Sequence, residues 1–203
     1  MGIGEVKGII LDRDGTLVDV VRDEETGAIG VAFHPAQLRI LPGVVDGLVL
    51  LRDAGFVFAM ATNQPGPAKG QYSGEAVRRT NDALVALLAK DGIAIADVRA
   101  CLHHPSGGPG GDASLVRACG CRKPKSGLLD DAIAALGLDR TTSWMVGDST
   151  SDIEAGTTAR LRTALVFASN RCELCPLRSG PASLRPTVHG ATLRDVARAI
   201  LAA

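Results

Sequence analysis

Short apolar runs alternate with amphipathic stretches along this chain, and that alternation constrains the fold more than any other feature. Val6 to Leu11 reads as a buried strand that stops at Asp12. Further strands are predicted over Phe56 to Ala61, Asp97 to Leu102, Ser143 to Gly147 and Arg162 to Phe167. Helical patterns fall between them, over Val44 to Arg52, Glu75 to Lys90 and Leu128 to Leu136, with Gly55, Gly92 and Gly137 placed to end each one. Ser149 with Asp152, and Thr192 with Asp195, have capping-box spacing and open two more helices, the second running to Ala202. Strand–helix alternation of this kind predicts an α/β fold, a mostly parallel sheet covered by helices on both faces. Ligands of such sheets bind at the carboxyl ends of the strands. Asp12, Thr62 and Asp148 each stand at such an end.

Composition narrows the partners. Aromatic residues make up 3% of the 203-residue chain, so the core is built from Ala, Val, Leu and Ile. The net charge is zero, which argues against a nucleic-acid partner. No apolar run is long enough to span a membrane. The N-terminus lacks the layout of a signal peptide, so the expectation is a cytoplasmic protein. Residues 1–203 are expected to form one domain, acting as a monomer. Five cysteines in a chain without an export signal point to metal ligation or free thiols rather than disulfides.

Four motifs carry chemistry. In Leu11-Asp12-Arg13-Asp14-Gly15-Thr16-Leu17, two carboxylates at a strand end share one tight turn, made cheap by Gly15. Such a pair needs a cation, and magnesium suits an all-oxygen site with few protein ligands. A calcium loop is the competing reading, but it wants oxygen ligands where Leu17 and Val18 stand. Thr62-Asn63-Gln64 offers a hydroxyl and backbone amides for phosphate oxygens, or simple turn chemistry. Arg122 and Lys123 supply two cations, or a solvated surface. Asp148 and Asp152 place a carboxylate at a strand end and another in the first helical turn, where capping alone explains part of Asp152.

Cys101-x-His103 and Cys119-x-Cys121 form a further set of three sulfurs and one nitrogen. Four protein ligands close a tetrahedral zinc site, which would make the zinc structural. The loop of residues 101–121 would then be clamped directly before Arg122 and Lys123. Buried thiols beside a surface His are the bland alternative.

In this order and at these strand ends, the motifs resemble the haloacid-dehalogenase-like hydrolases, a superfamily with a Rossmann-like sheet. The resemblance spans Leu11 to Asp152. It implies a nucleophile at Asp12, a general acid and base at Asp14, and phosphoryl stabilisation by Thr62 and Lys123. It also implies magnesium held by Asp12, the backbone carbonyl of Asp14, and Asp148. The intervals between motifs leave little room for an inserted cap domain, so the expected fold is capless. The Cys/His loop directly before Arg122-Lys123-Pro124, together with Thr62-Asn63-Gln64, is similar to the heptose bisphosphate 7-phosphatases and the related histidinol-phosphate phosphatases. That similarity implies a small-molecule phosphate ester as substrate, with contacts from Arg13, Val20, Val21, Arg22, Asp23, Asn63, Gln64 and Arg122. A non-catalytic zinc-stabilised binding module is the rival from another class. Retention of Asp14 speaks against it, since binding alone does not need that acid. The Asp23 to Phe33 segment is longer than the family pattern, and Cys172 and Cys175 fall outside it.

Overall fold

The computed structural model describes residues 6–22, 25, 27–167 and 185–203. Strand β1 (Gly8–Leu11) is buried along its whole length. The chain then makes a small antiparallel hairpin, β2 (Val21–Arg22) with β3 (Ile29–Gly30), before helix α1 (Val44–Asp53). There follow β4 (Val57–Asn63), the four-residue helix α2 (Gly66–Lys69), α3 (Gly74–Ala89) and β5 (Ile95–Cys101). The second half adds α4 (Gly127–Leu136), β6 (Trp144–Gly147), α5 (Thr150–Thr158), β7 (Arg162–Val166), β8 (Val188–Gly190) and α6 (Leu193–Ala202).

Six strands form one sheet in the order β5-β4-β1-β6-β7-β8, and every neighbouring pair is parallel. A parallel sheet with both faces covered needs apolar residues at successive positions, and the strands supply them. Side chains alternate between two cores. Ile9, Leu11, Phe58, Met60, Trp144 and Val146 face α1, α3 and α6. Ile10, Ala59, Ala61 and Met145 face α4 and α5. The capping boxes at Ser149/Asp152 and Thr192/Asp195 both form and open α5 and α6.

Several expectations needed adjustment. Val6 makes only an isolated bridge to Leu138, so β1 starts at Gly8. Ser73 caps α3 through its Oγ, which accepts from the Ala76 N–H at 3.1 Å, so the helix begins one residue earlier than its apolar periodicity suggests. Strand β5 also starts earlier, at Ile95. Among the described residues, the β1–β4 interval holds only the hairpin, a short 3₁₀ turn and α1, and the β4–β5 interval only α2 and α3. No helix among the described residues is long and apolar enough to cross a membrane.

Candidate active site

The site lies at the carboxyl ends of β1, β4 and β6. The Asp12 N–H donates to the Val146 carbonyl at 2.9 Å, which continues the β1–β6 pairing by one residue and fixes where the carboxylate emerges. The chain then turns sharply at Gly15, whose φ is +85°. Glycine is required here for a second reason. A Cβ at position 15 would stand 2.0 Å from Asp148 Oδ2, so the turn after β1 and the end of β6 touch through the missing side chain.

Lys123 enters this centre from the loop before α4. Its Nζ donates to Asp12 Oδ1 and to the Ala61 carbonyl, each at 2.7 Å, and lies 2.6 Å from Asp152 Oδ1 in a buried ion pair. The backbone behind it is clamped by Asn63. Asn63 Nδ2 donates to the Lys123 carbonyl at 2.9 Å, and Asn63 Oδ1 accepts the Lys123 N–H at 3.1 Å. Asp152 uses its other oxygen to cap α5, accepting from the Ser149 N–H and hydroxyl at 3.1 and 2.6 Å. One carboxylate thus serves both as helix cap and as partner of Lys123.

Carboxylates crowd the centre. Burial pushes Asp12 up to about 7 against the pull of Lys123, with Asp152 and Asp14 adding repulsion. Burial and repulsion from Asp12 and Asp152 lift Asp148 to about 8. Burial works against the charge on Lys123, yet Asp12 and Asp152 outweigh it and hold the ammonium above the ordinary lysine range. Oxygens of Asp12, Asp148 and Asp152 lie within 4.8 Å of one another. A hard divalent cation fits this set, because it supplies the charge that one lysine leaves uncompensated.

The Asp14 side chain does not join that cluster. Arg13 forks onto it, with Nε 3.0 Å from Oδ2 and Nη2 3.1 Å from Oδ1. Gln64 Nε2 donates to Oδ2 at 2.7 Å and to Thr62 Oγ1 at 2.9 Å. Three of the expected substrate contacts, Arg13, Asn63 and Gln64, make these and related bonds within the protein. Arg13 and Gln64 are fully buried, and their polar groups are used within the protein. Asn63 spends both ends of its amide on Lys123. Thr62 is placed as expected, buried at the end of β4.

Val21 and Arg22 form β2, with Val21 packed on the core and Arg22 exposed, and Val20 leads into it. Asp23, Cys172 and Cys175 lie outside the described residues. Arg122 keeps a buried Nη1 without a hydrogen-bond partner, an arrangement suited to an arriving anion. Asp152, which its spacing marks as a cap, is the residue whose place in the centre needed the structure.

The Cys/His loop converges as its spacing predicts. Cys121 Sγ lies 3.1 Å from Cys101 Sγ and 3.3 Å from His103 Nδ1, and Cys101 Sγ lies 3.6 Å from Cys119 Sγ. All four donor atoms lie within 4.8 Å of one another, and the cysteines form no disulfide. Burial, with hydrogen bonding to the neighbouring thiols, drives the Cys101 thiol well above its usual range. Three sulfurs and a ring nitrogen at this separation fit tetrahedral zinc.

Comparison with known proteins agrees with this geometry. A family model described as HAD-hydrolase-like matches residues 120–188. D-glycero-beta-D-manno-heptose-1,7-bisphosphate 7-phosphatase of Haemophilus influenzae is 34% identical over 166 residues, which is 81% of this chain and 83% of that protein. The protein of the same name from Pasteurella multocida is 31% identical over the same shares. The crystal structure of D,D-heptose 1,7-bisphosphate phosphatase from B. bronchiseptica, complexed with magnesium and phosphate, superposes with a TM-score of 0.76. It is 28% identical, and the match covers 97% of this chain and 99% of that one. The chain belongs to the haloacid-dehalogenase-like hydrolases, and it is a phosphoric monoester hydrolase. Within that family, its similarity runs to the heptose bisphosphate phosphatases.

Proposed function

We propose that this enzyme removes the 7-phosphate of D-glycero-β-D-manno-heptose 1,7-bisphosphate with the help of magnesium. The observation that carries the reading is the adjacent pair Arg122 and Lys123. Lys123 is buried on the carboxylate of Asp12, whereas Arg122 holds a buried N–H with nothing bound to it. One cation for the phosphoryl group that moves and a second for the group that stays suit a bisphosphate. The names of the relatives supply the sugar and the anomer.

In this reading Asp12 attacks the 7-phosphorus. A bond forms between its carboxylate oxygen and phosphorus, and the bond from phosphorus to the sugar oxygen breaks. Asp14 gives its proton to the departing oxygen. It then takes a proton from water as that water attacks the aspartyl phosphate, which returns Asp12 and releases inorganic phosphate. Lys123 favours the ionised form of Asp12 against the burial that raises it. Thr62 and Lys123 hold phosphoryl oxygens. Asp12, Asp148 and the Asp14 backbone carbonyl would hold magnesium, joined by Asp152, and the bound ion would screen phosphate from carboxylate. Cys101, His103, Cys119 and Cys121 would hold a structural zinc.

The test is phosphate release with magnesium from both anomers of the heptose bisphosphate and from histidinol phosphate, with Asp12→Asn as blank. A large preference for the β-anomer is expected. Preference for histidinol phosphate would move the enzyme to the neighbouring branch, and turnover by Asp12→Asn would remove Asp12 as nucleophile.

A further inference from the structure

Three side chains around Asp14 do no chemistry themselves, yet their arrangement leaves its carboxyl group little freedom. Oδ2 accepts from Gln64 Nε2 and Arg13 Nε, and Oδ1 accepts from Arg13 Nη2. Each partner is fixed from behind. Arg13 Nη1 donates to Asn81 Oδ1 on α3 at 2.7 Å, and Nη2 also donates to the Ala32 carbonyl at 2.6 Å. Gln64 Oε1 accepts from the Tyr72 hydroxyl at 3.3 Å. Because a carboxylate only accepts, the amide nitrogen of Gln64 must face Asp14, and the Tyr72 hydroxyl must then be the donor to Oε1. Burial keeps that phenol above its ordinary pKa, hence protonated and able to donate. The Tyr72 ring stacks on Phe33 with centroids 5.1 Å apart, so two contacts tie the frame to the segment that follows the β2–β3 hairpin: Ala32 through Arg13, and Phe33 through Tyr72.

We propose that Gln64 is a positioning residue for the acid step, which together with Arg13 and Tyr72 holds the Asp14 carboxyl so that its free lone pair, on Oδ1, serves the leaving oxygen. Oδ2 already accepts two N–H groups and has no room for the transferable proton. Oδ1 accepts one and keeps a second direction open. This inference rests on Asp14 being the acid of the proposed reaction.

Leaving-group dependence separates this role from a merely structural one. An alkyl phosphate such as the sugar ester needs a proton on its leaving oxygen, whereas 4-nitrophenolate departs without one. The ratio kcat/KM reports the steps up to formation of the aspartyl phosphate, so the later use of Asp14 as base does not enter. Gln64 also touches Thr62, but Thr62 would hold the phosphoryl group in both esters. Any loss through it lowers both substrates alike and cancels in their ratio.

The experiment measures kcat/KM of the magnesium-loaded enzyme on the heptose bisphosphate and on 4-nitrophenyl phosphate. The variants are Gln64→Met, Tyr72→Phe and Asp14→Asn. Asp14→Asn should lower the sugar-to-nitrophenyl ratio by about 10²-fold or more, the usual contribution of a general acid. Gln64→Met should lower the same ratio by about tenfold or more, and Tyr72→Phe by a smaller factor in the same direction. If Gln64→Met does not fold, Tyr72→Phe, which keeps the stacked ring and removes one hydroxyl, carries the comparison alone. A ratio unchanged in the folded positioning variants while Asp14→Asn shifts it overturns the proposal and leaves Asp14 as the acid. A ratio unchanged in Asp14→Asn removes the acid itself, and the proposal falls with it.

Discussion

Replacing Lys123 with Met tests how the buried charges are balanced. The side chain is 2% exposed and its Nζ lies 2.7 Å from Asp12 and 2.6 Å from Asp152. Met matches the stem of the lysine as far as Cε and removes the charged Nζ with its hydrogen bonds. Leaving one partner of a buried ion pair uncompensated costs about 3–5 kcal/mol. In a chain of this size that corresponds to a fall in Tm of roughly 6–20 °C.

The cost depends on pH, and its sign follows from the carboxylates. Burial already raises Asp12 from 3.8 to about 7 although Lys123 opposes it, so removing Lys123 raises it further. A carboxyl whose pKa is higher in the folded state binds more protons folded than unfolded between the two values. Stability therefore falls as pH rises through that window. The deficit of the variant should be largest near pH 8.5 and much smaller near pH 5.5, where Asp12 can stay neutral. The assay is thermal unfolding at both pH values in magnesium-free buffer without chelator, so that any metal on the Cys/His loop is retained. Millimolar magnesium should recover part of the loss at the higher pH, and turnover should fall by at least about 10²-fold, as for the loss of one preorganised electrostatic contact. Equal deficits at the two pH values, or no deficit near pH 8.5, would refute this account of the charge balance.

Asn63→Ala removes both hydrogen bonds to the Lys123 backbone, so it should lower stability by about 1–3 kcal/mol and reduce kcat more than it raises KM. Denaturant unfolding and steady-state kinetics measure the two effects, and unchanged kcat would show that the clamp does not place Lys123. Metal analysis of purified protein should give close to one zinc per chain, and its removal by a zinc-selective chelator should lower both activity and Tm until zinc is restored. Full activity without zinc would contradict a role in holding the loop. Gly15→Ala forces a Cβ against Asp148 at a φ of +85°. It should raise the magnesium concentration needed for half-maximal activity by about tenfold or more, read from activity against magnesium concentration, because Asp148 must move.

The middle of the sheet was legible because β1, β4, β6 and β7 are buried on both faces and read as apolar runs. Four-residue α2 and three-residue β8 are too short to show a period, and α2 opens on Gly-Pro. Residues that belong to the centre could be named from their place at strand ends, since parallel strands bring their carboxyl ends together whatever the loops do. Which way a side chain turns could not be named. Arg13 and Gln64 lie in the same motifs as Asp14 and Thr62, but sequence adjacency does not distinguish a side chain that faces substrate from one that braces its neighbour. Asp152 shows the same limit from the other side. Its spacing reports the cap it forms with Ser149, and only the packing of α5 beside the loop before α4 reveals that its second oxygen reaches a lysine from another segment.

The Cys/His loop adds a constraint that neither of its sequence pairs expresses. A Cβ at Gly111 would stand 2.0 Å from the Ala68 carbonyl oxygen, and the Asp112 N–H donates to the Pro67 carbonyl at 2.9 Å. The loop is therefore pressed onto α2, directly after Thr62, Asn63 and Gln64, while its other end leads into Arg122 and Lys123. Asn63 joins those two ends. Fixing this one loop locates both the lysine beside Asp12 and the strand end that carries Thr62, which gives a Cys/His cluster able to hold zinc a use so close to a centre built from carboxylates.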